Sequence, residues 1–444
     1  MKLPKLRALP SAQASIIEFR GLNKSITAGT NEIIDCKNIS LKHYPKLTAR
    51  APRGILYADI INPQAIYKAD KLYYIADGKF YADGVEKFSG LSAGKKSIVE
   101  FHNQICIFPD KKYYKESDGT NGDIGNGGTY PAAGSCPDID YACVHDNRVF
   151  GVKGSTSTIY ACALGNVQDW TTFVDVEGNP SEVGAYAVDV ASPGDFTGCI
   201  EYQNHVVALK QNYHHELYGQ KPSNFTVIEV SKTGTLNNSM VEVGSLLYFI
   251  NPQGIMRYGG GQAGNISLNL NETYPDGTLG SDGRFLYFSL KKTSEYTLYV
   301  MDTLSGLWWQ EDNLQVVDFH NVGEILYALT ADGKIYQFNS GIENDTEWSF
   351  TITDLSEISS INKKNTKIYI SLFAVVGTTI NIEISEDRKP FETKYSYTFT
   401  DKVVKSIPIS LSAVSEYKLR IKGNKYAEVY SIEKVVIGGG RVWR

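Results

Sequence analysis

Residues 71–81 read KLYYIADGKFY, with an apolar segment on each side of Asp77-Gly78. The sequence ILYALTADGKIY at residues 325–336 repeats this arrangement around Asp332-Gly333. An Asp-Gly pair between two apolar segments favours a two-residue hairpin turn, because aspartate and glycine tolerate the positive φ that such a turn requires. Two similar hairpins at distant points of one chain indicate a repeated structural unit.

Further copies of the apolar segment lie between these two hairpins. Successive equivalent positions are 33, 44, 57, 41, 39 and 40 residues apart, and they are Leu72, Ile105, Val149, Val206, Leu247, Leu286 and Leu326. A period near 40 residues is typical of one four-stranded propeller blade, and short solid apolar runs are typical of strands buried on both faces. Each run follows another strand-like segment, which we expect to be the innermost strand of its blade. The spacing predicts an all-β chain with a β-propeller of about seven blades. The 57-residue gap between Val149 and Val206 leaves a count of six or eight blades open. The alternative fold is a pair of unrelated β-sandwiches.

The sequence pattern changes after residue 342. About seven short segments in which apolar and polar residues alternate, joined by charged turns, predict a C-terminal β-sandwich. We therefore predict an N-terminal strap and first strand over residues 1–56, the propeller over residues 57–342 and the sandwich over residues 343–444. Residues 115–138 are rich in glycine, aspartate and asparagine, and they predict a long exposed loop without a core of its own.

Composition narrows the function classes. The formal net charge is −5 and lysine and arginine form no long run, which argues against a surface that wraps nucleic acid. The six cysteines include no CxxC pair, so we expect most of them to be reduced, half-buried, small apolar residues. No apolar segment approaches 18 residues and the N-terminus has no signal-peptide pattern, so we expect synthesis in the cytoplasm without membrane insertion.

Candidate sites for chemistry are weak in this sequence. His214-His215-Glu216, with His205 upstream, is the best metal candidate, but adjacent histidines on a strand point to opposite faces. Residues 118–123 place oxygen ligands at alternate positions, yet they lack the downstream glutamate of a calcium-binding EF-hand loop. No GxSxG motif is present, and no carboxylate pair can be placed across a glycosidic bond. The sequence therefore predicts a chain that is not an enzyme, with no catalytic residue, metal or cofactor.

The N-terminal segment carries a loose family resemblance. FRGLN at residues 19–23, Ala28-Gly29, Asp35, NIS at residues 38–40, YPKL at residues 44–47 and RAPRG at residues 50–54 resemble the opening of bacteriophage tail nozzle and head-to-tail connector proteins, in which a propeller follows. The resemblance implies a structural virion protein of the phage tail, synthesised in the bacterial cytoplasm. Its partners would be copies of itself in a ring, often of six, around a channel for DNA ejection, together with other tail or connector proteins. Viral DNA would pass without sequence-specific binding. The expected interaction residues are Phe19, Leu22, Tyr44, Leu47, Arg50 and Arg53.

Two other functions stay open at this stage. One is a carbohydrate-binding or carbohydrate-cleaving propeller, including a glycan hydrolase, in which aromatic-rich loops and the sandwich hold a glycan. The other is a receptor-binding tip of the same kind of tail. The strap residues also fit an ordinary first blade.

Overall fold

The computed structural model describes residues 11–125, 136–341, 346–353, 363–401, 404–410 and 416–438. These residues form β-strands joined by turns, together with two short 3-10 helices, Pro222–Asn224 and Leu268–Leu270. The strands make nine sheets within the described ranges, and seven of these sheets are four-stranded. The prediction of an all-β chain is therefore confirmed.

Five strands precede the first complete blade. They are β1 (Ser11–Ile16), β2 (Ile33–Lys37), β3 (Ile39–Ser40), β4 (Leu47–Ala49) and β5 (Arg53–Tyr57). The first four pair with C-terminal strands or with each other, and only β5 joins the propeller.

The propeller contains seven antiparallel sheets, each formed mainly by consecutive strands. Blade 1 consists of β6 (Pro63–Lys68), β7 (Leu72–Ala76), β8 (Lys79–Ala82) and β9 (Val85–Ser89). Blade 2 consists of β10 (Ser97–Phe101), β11 (Gln104–Phe108), β12 (Lys112–Lys115) and β13 (Asn121–Asp123). Blade 3 consists of β14 (Tyr141–His145), β15 (Arg148–Val152), β16 (Thr158–Ala161) and β17 (Tyr186–Asp189). Blade 4 consists of β18 (Phe196–Tyr202), β19 (His205–Lys210), β20 (Tyr213–Tyr218) and β21 (Thr226–Ser231).

The remaining blades follow the same order. Blade 5 consists of β22 (Met240–Val243), β23 (Leu246–Asn251), β24 (Gly254–Tyr258) and β25 (Gly264–Asn265). Blade 6 consists of β26 (Asp276–Ser281), β27 (Phe285–Lys291), β28 (Tyr296–Asp302) and β29 (Trp308–Gln310). Blade 7 consists of β30 (Val316–Val322), β31 (Ile325–Thr330), β32 (Ile335–Phe338) and the N-terminal strand β5. The seven-blade prediction is confirmed.

The first strand of every blade is the innermost, as the sequence predicted. These seven strands contact one another around the ring, and the contact between β30 and β6 closes it. The second strands are the most buried, and every residue of β7, β15 and β19 is buried. Burial on both faces explains their solid apolar runs, because each blade packs between two neighbours.

Blade 7 closes the ring with a strand from the other end of the propeller. Arg53 of β5 pairs with Phe338 of β32, and Gly54 pairs with Gln337. This strand lies in the segment that the sequence placed with the strap. The long 57-residue spacing corresponds to an insertion of about two dozen residues between β16 and β17 of blade 3, so it holds no extra blade.

The Asp-Gly turns agree only in part with the prediction. Asp77 and Gly78 have φ of 51° and 69°, as a two-residue hairpin requires. In blade 7, β31 ends at Thr330 and β32 begins at Ile335, so the predicted two-residue turn is wrong there. The loop is longer because the Gly333 backbone NH donates to Thr330, and only the glycine adopts a positive φ.

The sandwich combines strands from both ends of the chain. Its C-terminal strands are β33 (Trp348–Ile352), β34 (Lys363–Ala374), β35 (Thr379–Glu386), β36 (Glu392–Thr398), β37 (Val404–Ser410), β38 (Tyr417–Gly423) and β39 (Ala427–Gly438). One sheet has the order β3-β4-β39-β34-β37, with β1 also paired to β39, and the other has the order β2-β33-β38-β35-β36. The predicted sandwich is confirmed, and the strap contributes to both of its sheets.

The prediction of one long exposed loop over residues 115–138 is wrong for part of that range. Asn121–Asp123 forms the outer strand of blade 2, and Ile124 and Cys136 are buried in the core between blades. Residues 126–135 lie outside the described residues. In the described part of the chain no helix has the length and apolar character needed to span a membrane.

Candidate functional site

The innermost strands leave a cavity of about 360 Å³ along the propeller axis, and all seven blades line it. A second recess of about 350 Å³ shares Lys95, Lys96, Ser97 and Asn238 with this cavity and adds Asp140 and Asn237. A third recess of about 630 Å³ lies between blades 1, 2 and 7 and also includes Lys95. The three cavities have Lys95 in common in their linings, and together they are here called the channel mouth.

Lys95 lies at the centre of the channel mouth because it lines all three cavities. Its Nζ atom is 3.8 Å from Oδ1 of Asp318, on the innermost strand of blade 7. The other carboxyl oxygen of Asp318 accepts a hydrogen bond of 3.1 Å from the Ile66 backbone NH. Burial raises the pKa of Asp318 above its ordinary value, although Lys95 and the Ile66 backbone NH act in the opposite direction. Ionisation of this carboxyl group is therefore less favourable than that of an ordinary aspartate.

A second carboxyl group nearby is held in the opposite state. Lys96 has a fully buried side chain, and its Nζ atom lies 2.7 Å from Oδ2 of Asp110 and 2.6 Å from Oγ of Ser92. Burial opposes ionisation of Asp110, but hydrogen bonds from Lys96 and Ser92 lower its pKa below the ordinary value. The bonds to Asp110 and Ser92 fix the Lys96 ammonium group at the edge of the channel mouth.

The remaining polar groups come from blades 3 and 5. Asn237 donates from Nδ2 to Asp276 Oδ1 at 3.1 Å and to Gly277 O at 2.9 Å, which fixes its amide. Its Oδ1 atom is buried without a hydrogen-bond partner. Asp140 accepts one bond of 2.8 Å from the Gly154 backbone NH. Buried polar atoms in proteins are normally hydrogen-bonded, so the unpaired Asn237 oxygen marks a position where a donor from a ligand would be stabilised.

None of the residues predicted from the sequence as site residues lies in the channel mouth. Lys95 and Lys96 follow Gly94 directly before an innermost strand, and Asp318 interrupts the apolar run VVDF. A carboxyl group inside a buried strand is a usable signal. The convergence of blades 2, 3, 5 and 7 on one point depends on the ring closure and not on any local spacing.

The predicted interaction residues lie mostly inside the chain. Phe19 is fully buried and packs edge-on against Phe350, with ring centroids 5.9 Å apart, and Leu47 is fully buried in β4. The backbone NH of Leu22 donates to Trp308 O at 2.6 Å. Among the six, Tyr44 is exposed, with 46% of its surface accessible.

The two arginines of this set bind acidic residues of blade 6. Arg53 Nη1 lies 2.7 Å from Asp312 Oδ2, and Arg53 Nη2 bonds Glu311. Arg50 Nη2 lies 3.9 Å from the same Asp312 oxygen, and Arg50 Nε donates to Asn38 Oδ1 at 2.9 Å. Both side chains therefore join the strap to the propeller of the same molecule, and a role toward other subunits stays a prediction.

The histidine cluster has the face arrangement that the sequence predicted. His214 contacts Glu216, whereas His215 bonds Ser192 on the other face. His205 Nε2 also approaches Glu216 Oε1, at 3.3 Å. Among the described residues no group of three or more histidine, cysteine, aspartate or glutamate side chains has an arrangement that could hold a metal ion. In the segment 118–123, for which the sequence did not favour a calcium site, Asp118 Oδ1 accepts bonds from the backbone NH and hydroxyl of Thr120.

Comparison with known proteins gives similarity in solved structures alone. No family model matches the chain, and no curated protein matches it. A provisionally named 6-phosphogluconolactonase from Bacteroides uniformis is 10% identical, with coverage of 76% of this chain and 94% of that one and a TM-score of 0.36. A glycoside hydrolase family 43 arabinoxylan arabinofuranohydrolase from Bacillus subtilis is 8% identical, with coverage of 85% and 96% and a TM-score of 0.25. An exo-β-1,3-galactanase from Phanerochaete chrysosporium is 10% identical, with coverage of 87% and 100% and a TM-score of 0.20.

The prediction that the chain is not an enzyme is wrong in the light of these matches. Its basis was a propeller without a recognisable catalytic motif, and the structures similar to this chain include glycoside hydrolases. The likeness concerns the fold, so any activity of this chain has to follow from its own residues.

Proposed function

We propose that this propeller binds carbohydrate at the channel mouth, with cleavage of a glycosidic bond as the reaction class that its carboxyl groups support. The observation that carries the proposal is that Lys95 lines both the cavity that contains Asp318 and the adjoining recess that contains Asp140 and Asn237. A sugar presents many hydroxyl groups, each of which donates and accepts hydrogen bonds. A site with ammonium and amide donors beside carboxyl and amide acceptors suits such a ligand.

The roles of the groups follow from their states. Lys95 donates to ligand oxygens, and the unpaired Asn237 Oδ1 accepts from a hydroxyl group. Asp318, with its raised pKa, is the proton donor to a leaving-group oxygen. Asp140 lines the adjoining recess and is the candidate for the second carboxyl group of a two-carboxyl mechanism. Tyr141 lines the same recess and is the aromatic residue there that could contact a sugar.

Binding and cleavage are tested separately with two substitutions. Isothermal titration against galactan, arabinan and xylan fragments measures affinity for wild type, Lys95→Ala and Asp318→Asn. We expect Lys95→Ala to weaken binding at least tenfold, and Asp318→Asn to keep binding while reducing-sugar release stops. Lys87→Ala on the outer strand of blade 1 is the matched control, because Lys87 is exposed and far from the channel. Unchanged affinity in Lys95→Ala, or no binding of any glycan on a broad array, contradicts the proposal.

A second function, a component of a phage tail that assembles with copies of itself, is favoured by one observation besides the N-terminal resemblance. The insertion in blade 3 exposes five apolar side chains, with 41 to 74% of their surfaces accessible, namely Leu164, Phe173, Val174, Val176 and Val183. Exposed apolar patches on a folded protein mark interaction sites. We call this insertion the apolar arm.

The oligomeric state tests this second function. Light scattering after size-exclusion chromatography, and electron microscopy of the purified chain, should show a ring for wild type. The double substitution Phe173→Ser with Val176→Asp should give monomers that retain the wild-type unfolding temperature. A wild-type chain that stays monomeric at high concentration contradicts the assembly.

A further inference from the structure

Cys143 and Cys199 lie side by side in the wall of the central cavity. Their sulfur atoms are 3.1 Å apart, and the two side chains are 7% and 4% exposed. Cys143 is carried by β14 and Cys199 by β18, the innermost strands of blades 3 and 4, which are neighbours in the ring. All six cysteines are described, and these are the two whose sulfur atoms contact each other.

The positions of both residues are fixed by the sheets around them. Cys143 faces Phe150 of its blade in register, and Cys199 faces Ala208. The Cys199 backbone NH also donates to Asn238 Oδ1 at 3.2 Å. A disulfide forms without backbone movement only where two cysteines are already held close and with suitable direction. The sulfur atoms of Cys143 and Cys199 already lie 3.1 Å apart on neighbouring strands, which meets the distance part of this requirement.

We propose that Cys143 and Cys199 are a redox modification site, at which a thiol oxidant forms a disulfide that joins blades 3 and 4 inside the central cavity. In the reaction with a small disulfide such as oxidised glutathione, one cysteine sulfur attacks and displaces one glutathione thiol. The second cysteine then attacks the mixed disulfide and displaces the other. Two protons and two electrons pass from the protein to glutathione, which leaves as two thiols.

The cavity gives the oxidant access that the other cysteines lack. Both cysteines line the 360 Å³ cavity, which is part of the channel mouth. Cys106, Cys136 and Cys162 are instead enclosed in the apolar core between blades 2 and 3. Cys36 is fully buried with its pKa raised by burial to about 12.

The reaction should be slow at neutral pH and faster in alkaline solution. The hydrogen bond with Cys199, together with burial, raises the pKa of Cys143 well above its ordinary value. The thiolate is the attacking species, so a raised pKa lowers its fraction at neutral pH. The increase of the reaction rate with pH distinguishes Cys143 and Cys199 from exposed redox cysteines of low pKa, which are already ionised at neutral pH.

The experiment treats the full reduced chain with oxidised glutathione or diamide at pH 7 and pH 9. Intact mass spectrometry should show loss of two hydrogen atoms, and peptide mapping should join the peptides of Cys143 and Cys199. Thiol titration after denaturation should fall by two of the six groups. The bond closes a segment of 56 residues, so the thermal unfolding midpoint should rise and return when reductant is added.

Controls make each outcome decisive. Cys143→Ala and Cys199→Ala should show no intramolecular bond, whereas Cys36→Ala should behave as wild type. If wild type keeps all six thiols at pH 9, or forms its bond between other cysteines, the proposal is wrong. The inference does not depend on carbohydrate binding, because disulfide formation needs no glycan and is measured by the intact mass of the protein.

Discussion

Replacing Arg53 by methionine tests how the N-terminal strand is held in the closed ring. Arg53 begins β5, and its two Nη atoms bond Asp312 and Glu311 of the segment between blades 6 and 7. The Arg53 side chain is 3% exposed, and that of Glu311 is 6% exposed. Arg53→Met therefore leaves Glu311 as a buried carboxylate without its principal cation.

The size of the effect follows from this burial. Removing one partner of a buried ion pair costs about 3–5 kcal/mol, because the remaining charge is left uncompensated. Asp312 loses less, since 22% of its side chain is exposed and Arg50 stays within 3.9 Å. Methionine also keeps an apolar contact with the Phe338 ring, over which the Arg53 guanidinium now lies at 4.8 Å. We therefore expect the free energy of unfolding to fall by about 3 kcal/mol.

Urea unfolding followed by tryptophan fluorescence measures this change, because Trp308 and Trp309 are buried on the adjoining strand β29. Arg388→Met is the matched control: its partner is Glu416 at 2.7 Å, but the arginine side chain is 85% exposed, so the loss should stay below about 1 kcal/mol. The double substitution Arg53→Met with Glu311→Leu should recover much of the stability, since it removes the unpaired charge. A single-substitution loss no larger than that of Arg388→Met would refute the reasoning.

The other predictions concern packing, acid stability and the closing ion pair. Gly280→Ala should cost about 1–3 kcal/mol in urea unfolding, because a Cβ atom there would lie 2.4 Å from the Phe319 Cβ atom, whereas Gly264→Ala, with open space around it, should change little. Burial disfavours ionisation of Glu216, but hydrogen bonds from His214 and two tyrosines lower its pKa to about 2. Its stabilisation is therefore present above the ordinary glutamate pKa and lost as the pH falls toward 2, and Glu216→Gln should flatten the unfolding temperature measured between pH 5 and pH 2. Arg53→Met should flatten the same profile to a smaller extent, since burial opposes ionisation of Asp312 but Arg53 holds its pKa below the ordinary value.

Much of the fold could be predicted because each blade carries its own local signal. Apolar second strands such as residues 72–76 are buried on both faces, so the period of about 40 residues is visible without any knowledge of pairing. The strand that closes the ring, β5, could not be predicted from such a local pattern. Strand β5 is short, and its residues Ile55 and Leu56 are exposed, so nothing in the segment itself distinguishes a closing strand from a strap.

The candidate site was less accessible to sequence reasoning than the fold. Lys95 and Asp318 are separated by more than 200 residues, and their 3.8 Å contact exists only because blade 7 returns to blade 1. A carboxyl pair can be assigned acid and base roles only when burial and neighbouring charges are known, because those factors set the two pKa values. For the strap residues, the sequence pattern indicated that they make contacts. The contacts found in the structure are made within one chain.

The position of the strap also bears on assembly. Five of the six predicted interaction residues are engaged inside the chain, so a ring of copies would need other surfaces. A closed ring of identical subunits uses two different patches on different sides of each subunit. The apolar arm projects from blade 3, whereas the strap strands β2 and β3 contact β29 of blade 6, three blades further along a ring of seven. The apolar arm and the strap therefore belong to different parts of the ring of blades, and the arm is a surface that the assembly proposed as the second function could use.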